Sequence, residues 1–417
     1  MKLGVLSQWF DPETGPAALP GVFSREFMAA GHEVSVLTGF PNYPNGEIYP
    51  GFRQRLRHRS NVDGIDLTRV PLYASHNSSA IRRIANYTSF AASATLLSRG
   101  ALAGVDAMWV YNSPVTIGLP LRWHSHGGGV PYFLHVQDVW PDSLIESGMF
   151  PGGAVGKIAD NVIRRMVRAA ERRATVVGVI SQGVRELILE RNPRLDPAKI
   201  VYVPNPTDET LFVPAPELRR QGFSELDQDH FTLMYMGAIG DVQGLETLLD
   251  AAQILMGSAP HVRFELVGDG IARDRLEREA AIRQLDNVVF RGRVAKDDVP
   301  AVMASSDAQL VSLADSPFLR LTTPSKISSI LASEIPVIGA IAGDGAATLL
   351  ASGAAFVVDP GDGEALADAV ERMARLSTSD RERMGRRGRE FYEENFSAAA
   401  AAEKIVSSLR GSMHGDK

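Results

Sequence analysis

Two α/β domains in tandem, each doubly wound around a parallel sheet, are the fold that this sequence predicts, and three observations predict it. Short β-rich runs alternate with helical segments through the first half, and a second series of the same kind begins at Phe231. Between the two lies VPNPTDETLFVPAPELRRQG (203–222), whose prolines interrupt any helix and which lacks apolar periodicity. Such alternation implies parallel strands covered on both faces. A chain of 417 residues exceeds one ordinary core and suits two domains of roughly 200 residues each. The expected division is 1–206, braced by a returning segment 391–417, and 207–390.

The elements follow in order. Leu3 to Leu6, a helix near Pro20 to Ala30 and Val34 to Thr38 make a βαβ start, with Gly31-His32 as the turn after the helix. Further strands are expected at Ile65 to Val70, Ala107 to Tyr111, Tyr132 to Val136, Val176 to Ile180 and Ile200 to Val203. The second series runs through Phe231 to Met236, Phe264 to Val267, Val288 to Arg291, Ala308 to Ser312, Pro336 to Gly339 and Ala355 to Val358. Arg381 to Arg410 reads as the last helical stretch, a candidate to cross back onto the first domain. Open α/β sheets bind ligands beyond the carboxyl ends of their strands, so two facing domains predict a cleft there.

Composition narrows the class. With 45% hydrophobic residues and a net charge of −6, nothing global points to nucleic acid. The absence of cysteine removes disulfides, thiolate metal sites and a cysteine nucleophile. The N-terminus MKLGVLSQWF turns polar too soon for a signal peptide, and no apolar run approaches the roughly 20 residues of a membrane span. A cytoplasmic setting is expected, with at most peripheral contact at the inner face of a membrane. Basic residues are uneven: Arg53, Arg55, Arg57 and Arg59 alternate with other residues, while Arg164, Arg168 and Arg172 recur at helical spacing beside Arg165 and Arg173. That stripe suits anionic lipid headgroups or a pyrophosphate-bearing acceptor, and equally a solvated helix face.

Chemistry concentrates after strand ends. LTTPSKISSILASEIPV (321–337) reads as a helix start, with Thr323 as N-cap, Pro324 at the first helical position, then Ser325 and Lys326. A lysine in a first turn opposes the helix dipole unless an anion is bound there. Amides plus an ammonium fit a diphosphate, although an ordinary capped helix fits the same residues. GAIGDVQG (237–244) and Gly268-Asp269-Gly270 also follow strands, and their glycines let backbone amides approach a ligand; tight turns without a ligand remain open. Neither is GxGxxG, and Glu13-Thr14-Gly15-Pro16 stands where a dinucleotide fingerprint would be.

His135, Gln137 and Asp138 lie at the end of the strand PYFLHV and run into Trp140-Pro141-Asp142. Asp138 is a candidate to orient a hydroxyl or take its proton, and His135 to donate to phosphate or sugar oxygens; a structural histidine bonded to a carbonyl is the other reading. Asp227-Gln228-Asp229 is the clear DxD, but it precedes the second domain's first strand and reads as a solvated turn. His124 and His126 read as loop residues. No HExxH and no GxSxG occur.

These residues resemble the retaining GT-B glycosyltransferases of family 4, and within them the N-acetyl-fucosamine transferases of O-antigen and capsule assembly. The likeness covers nearly the whole chain. It rests on GHEVSVLTGFPNYPNGEIYPGF (31–52), DGIDLTRVPLY (63–73), NYTSFAASA (86–94), VQDVWPDSL (136–144), LVGDG (266–270), LDNVVFRGRV (285–294) and TPSK (323–326). NYP with WPDS is specific to the subgroup, whereas VGDG is generic.

The resemblance implies two Rossmann-like domains facing across a cleft and a metal-independent enzyme that uses a UDP-sugar as co-substrate, with no other cofactor. An N-acetylamino or deoxy-amino hexose would pass, with retention, to a hydroxyl of a lipid-pyrophosphate-linked or small-molecule acceptor. By that likeness the base would lie near Arg293 and Val294 and the diphosphate near Gly237, Thr323, Ser325 and Lys326, with Gly15 closing from the first domain, while Gln137 and Asp138 match the place of a sugar-contacting His-Asp pair. The candidate donor set also takes in Gln243, Gly268, Asp269 and Ser329, and the candidate catalytic set is Asp138, His135, Gln137 and Lys326.

The chain also departs from that pattern. Two glutamates common in the broad family are replaced by Leu321 and Ser329, and an Arg and a Lys by Ala238 and Gln243. Gln137 occupies the usual histidine slot, and Leu19-Pro20-Gly21 stands where the subgroup has an arginine. A nucleotide-sugar 2-epimerase of the same fold and a catalytically silent nucleotide-sugar-binding partner therefore remain as alternatives.

Overall fold

Apolar strands buried on both faces organise each half of the molecule. The computed structural model describes residues 1–75, 80–125, 129–140 and 153–414; His126, Pro141 and Asp142, named above, lie outside them. The chain divides into one unit of residues 1–204 with the segment from Ala398, and a second of residues 205–397.

In the first unit, strands β1 (Lys2–Leu6), β2 (Glu33–Gly39), β3 (His58–Val62), β4 (Ile65–Val70), β5 (Ala107–Asn112), β6 (Tyr132–Val136), β7 (Val176–Val179) and β8 (Ile200–Tyr202) form one sheet in the order β3-β4-β2-β1-β5-β6-β7-β8. All pairs are parallel except β3 with β4, a hairpin closed by Asp63 and Gly64, both at positive φ. Alternate residues serve opposite faces. Trp109 and Tyr111 of β5 join Phe23, Phe27 and Phe133 on one side, while Met108 and Val110 join Leu134, Val177 and Phe90 on the other.

The first face is covered by the helix Leu19–Ala29 and by the C-terminal helix Ala398–His414, which buries Ala401, Ala402, Ile405 and Leu409. The stretch expected as one helix from Arg381 is thus two, Thr378–Asn395 in the second unit and Ala398–His414 in the first, parted beside the buried Phe396. The return begins at Ala398, not at 391.

The second unit is an all-parallel sheet ordered β11-β10-β9-β12-β13-β14, from β9 (Phe231–Met236), β10 (Val262–Val267), β11 (Val288–Gly292), β12 (Ala308–Ser312), β13 (Val337–Ala340) and β14 (Ala355–Val358). That is the 3-2-1-4-5-6 order of a doubly wound fold, whose switch point falls between β9 and β12. In the first unit the corresponding reversal falls between β1 and β5.

Residues 205–209 are pinned within the second unit. Ser328 Oγ donates to the Asn205 carbonyl at 3.1 Å, the Thr207 and Ser329 hydroxyls share a 2.8 Å bond, and Tyr392 OH accepts from Thr207 N and donates to Glu209. The seam is not wholly irregular: Ala215–Arg220 is a short helix, and Arg219 donates to the carbonyls of Ala304 and Ser306. Among the described residues, no helix is long and apolar enough to cross a membrane.

One buried ion pair ties two helices of the first unit. Glu171, in Gly153–Arg173, accepts from Arg191 at the end of Gln182–Arg191 and from Asn192 Nδ2 at 2.9 Å. Both charged side chains are almost fully buried. Replacing Arg191 by Met should leave the carboxylate uncompensated and lower unfolding free energy by about 3–5 kcal/mol, measured by urea denaturation; a loss below about 1 kcal/mol would contradict this account.

Candidate active site

At the carboxyl ends of β9 and β10 two glycines decide how closely the chain can pack. Gly237 has φ +144° and Gly268 φ +141°; a Cβ on Gly268 would stand 1.9 Å from the Gly237 carbonyl oxygen, and one on Gly237 would stand 3.1 Å from Lys326 Nζ. Only hydrogen fits at either position. The backbone therefore comes directly against the lysine head.

Lys326 Nζ lies 3.8 Å from the centroid of the Tyr235 ring, a cation–π contact, and Tyr235 OH donates to the Ala238 carbonyl at 2.6 Å. Nζ is buried and uses none of its three hydrogen-bond donors. Burial without a carboxylate pushes its pKa down to about 7. Thr323 Oγ1, three residues earlier, is likewise buried and unpartnered. An ammonium in this state is poised to gain an anion.

The helix start differs from the expected one. The helix runs Lys326–Ala332 with Ser325 as N-cap, and no side chain caps it; Thr323 and Pro324 precede it, and the Pro324 carbonyl accepts from the Ile327 amide at 3.0 Å. Ser325 is exposed. Because the helix has seven residues, the lysine contributes more charge here than the dipole does.

Around this point, Gln243 Oε1 accepts from the Gly240 amide at 3.0 Å, and the Gln243 carbonyl accepts from Ser312 Oγ at 2.7 Å. Asp269 accepts from the Gly270 amide at 2.8 Å and pairs with Arg293 Nε at 3.0 Å, which together hold its carboxyl below the usual range. Val294 is half-buried beside Arg293. Ser329, by contrast, is committed to Thr207. The DxD is occupied as well: Asp227 binds the Asp229 amide, His230 and Arg263.

In the first unit the carboxyl ends of β1, β2, β5 and β6 carry a polar cluster. Ser113 Oγ donates to Asp138, whose pKa is raised by burial against that bond. The Asp138 charge in turn raises Tyr43, Tyr87 and Tyr111, each already raised by burial. Glu13 accepts from the amides of Phe10, Asn42 and Tyr43, and burial lifts its pKa to about 7 in spite of them. Asn86 links Gln8 and Asn42. Gly15, at φ +64°, opens the turn Gly15–Ala18, and the Pro16 carbonyl accepts from Tyr111 OH at 3.0 Å. Gln137 lies half-buried between strand end and Asp138.

His135 is a core residue and not a catalytic one. It is fully buried, its ring meets Phe23, Trp109 and Phe133 edge to face, and Nε2–H donates to the Val203 carbonyl at 2.9 Å. His124 is also structural: it lies in the helix Gly118–Ser125 and bonds Ser98 Oγ at 2.8 Å. Sequence reasoning passed over Ser113, Tyr87 and Tyr235. The available signal was position: Ser113 directly follows AMWVYN and Tyr235 lies near the end of FTLMYM, both at carboxyl ends of strands, whereas Tyr87 lies on the helix Ala80–Leu96.

Comparison with known families decides the class. Residues 14–206 match the glycosyl transferase 4-like domain, and residues 230–375 match the glycosyl transferases group 1 domain. The chain is a two-domain glycosyltransferase. This glycosyltransferase is 27% identical to the colanic acid biosynthesis glycosyl transferase WcaI of Escherichia coli K12 over 343 residues, 80% of this chain and 81% of the relative.

Its fold is that of GT-B enzymes. Sucrose-phosphate synthase of Thermosynechococcus elongatus superposes with a TM-score of 0.68 at 18% identity, covering 98% of both chains. Anabaena HepE, solved with UDP and glucose, gives 0.64 at 17% identity, covering 98% of this chain and 99% of that one.

Because burial holds His135 neutral down to about pH 4, it should oppose folding in acid. The unfolded chain takes up a proton near pH 6.5 that the folded one refuses, so this contribution is intact above pH 6.5 and lost as pH falls toward 4. The stability of the parent relative to His135→Phe should fall by up to about 3 kcal/mol across that window, read from urea melts at several pH values. Parallel pH profiles would show a solvent-titrating imidazole instead.

Proposed function

We propose that this glycosyltransferase moves an N-acetylamino or deoxy-amino hexose from a UDP-linked donor, with retention and without a divalent metal, to a hydroxyl of a lipid-pyrophosphate-linked or small-molecule acceptor at the inner face of a membrane. The observation that carries the donor half is the buried, unpartnered Lys326 Nζ against the Gly237 backbone. The UDP found in HepE supports the choice of nucleotide, and the WcaI likeness supports polysaccharide assembly.

Transfer breaks the bond from the anomeric carbon to the diphosphate, and that electron pair stays on the departing oxygen. Lys326 and the neighbouring amides stabilise that charge in the transition state, in the role a metal has elsewhere. The acceptor oxygen forms the new bond on the same face, and its proton passes to the leaving phosphate oxygen. Asp138, held by Ser113, orients the acceptor hydroxyl. Arg293 and Val294 lie beside the nucleobase, with Gly268 and Asp269 shaping the turn around it.

Two outcomes test this reading. Diphosphate binding should raise the Lys326 pKa from about 7, so binding takes up a proton. UDP-sugar affinity is then highest below pH 7 and falls by up to about ten-fold per pH unit above it. Calorimetry in buffers of different ionisation enthalpy measures the proton directly. Lys326→Ala should abolish this pH dependence and cut turnover by roughly ten- to several-hundred-fold; an unchanged rate would remove the lysine from the mechanism.

Asp138→Asn keeps the shape and removes the charge. It should leave donor affinity within about two-fold and lower kcat/KM by roughly 10²–10⁴, followed as UDP release that depends on acceptor. Sugar isomerisation without any acceptor would point to the epimerase chemistry instead.

A further inference from the structure

Charge is segregated in this protein in a way that donor binding does not require. The chain as a whole is acidic, at −6, yet three neighbouring helices of the first unit, Ala80–Leu96, Gly118–Ser125 and Gly153–Arg173, carry nine Lys and Arg residues against Asp160 and Glu171 alone. Both acids are engaged, Asp160 by Arg164 and Glu171 by Arg191. Of the basic residues read from the sequence on this helix, Arg164 is paired and Arg168 half-buried, while Arg165, Arg172 and Arg173 are exposed.

The cations that remain frame a cavity of about 270 Å³ between Gly118–Ser125 and Gly153–Arg173. Arg122, Arg165 and Arg173 stand around it, all exposed and none joined to a carboxylate among the described residues. The cavity also takes in apolar surface from Met166 and Ala169. Beside it, Leu119 and Trp123, one helical turn apart, are 48% and 58% exposed. Three guanidinium groups without a carboxylate partner among the described residues, over an apolar floor and with an indole at the rim, match an anionic amphiphile lying in the plane of a bilayer surface.

We infer that the Arg122–Arg165–Arg173 cavity seats the phosphate of an anionic bilayer phospholipid, and that Leu119 and Trp123 enter the headgroup layer beside it. Charge complementarity selects an anionic partner, and the exposed Leu and Trp select a lipid over a soluble phosphate, which has nothing to place against them. The site stands apart from the donor reading, since none of its residues belongs to the Lys326 or Asp138 clusters.

Sedimentation with vesicles tests it on the full chain. Wild-type protein should pellet with vesicles of phosphatidylcholine containing phosphatidylglycerol and stay in solution with phosphatidylcholine alone. The triple variant Arg122→Gln, Arg165→Gln, Arg173→Gln should bind the anionic vesicles at least about ten-fold more weakly, and Trp123→Ala should weaken binding at unchanged charge. A charge-matched variant of the second unit, Arg372→Gln, Arg375→Gln, Arg383→Gln, should bind as wild type does. Circular dichroism and urea melts confirm that each variant is folded, and failure of the donor reading leaves this result untouched. Equal binding to both vesicle types, equal loss in the charge-matched variant, or protection by inorganic phosphate with no vesicle binding overturns the proposal.

Discussion

The carboxyl edge of the second unit's sheet is organised around one desolvated ammonium, that of Lys326. Removing a lysine head from water costs free energy that the face of Tyr235 offsets only in part, and the burial is sustained because Gly237 and Gly268 let two strand ends close over it. Other cations on the same edge are already spent: Arg293 is paired with Asp269 and Arg320 with Asp315. Lys326 is not. A group whose charge is disfavoured until an anion arrives discriminates sharply between empty and occupied states, because the first phosphate oxygen restores both its charge and its hydrogen bonds.

The polar cluster of the first unit rests on a different balance. Asp138 keeps a carboxylate near a cluster of tyrosines, with a serine hydroxyl as its bonded partner, so it has acceptor capacity left for a hydroxyl. Three residues earlier, His135 has the same polar character in sequence and the opposite fate. The rings of Phe23, Trp109 and Phe133 enclose it, and its single bond goes to backbone. Both are polar residues near one strand end, but His135 lies within β6 and Asp138 two residues beyond it; the aromatic layer contributed by Leu19–Ala29, β5 and β6 encloses only the first, which no local pattern reveals.

Much of the fold was legible because burial on both faces leaves a plain signature. Runs such as AMWVYN and FTLMYM have no polar alternation to confuse with a surface strand. The antiparallel β3 escaped, since HRSNV is mostly polar and exposed, although Asp63-Gly64 before IDLTRV is a strong hairpin signal. The break between Asn395 and Ala398 escaped for another reason. Helical periodicity continues across it, and the buried Phe396 lies at the turn between the two helices. The lysine site was visible as residue types, whereas its cap was placed two residues early, at Thr323, because a good capping side chain is not obliged to cap.

The serines that follow Lys326 explain how the site tolerates the loss of acidic residues. Ser329 stands where the resembling family carries a glutamate, and instead of reaching a ligand it bonds Thr207, while Ser328 bonds the Asn205 carbonyl. Tyr392 then holds Thr207 and Glu209 from the other side. The short helix bearing the lysine is thus fixed at its first residue by the glycine loops and along its next turn by the segment that enters the unit. An acid at 329 would forfeit the hydroxyl bond to Thr207; a serine keeps the helix placed and adds no negative charge to the field of Lys326. The surrounding chain thus defines the position of one buried cation, Lys326, more than it supplies that cation with partners.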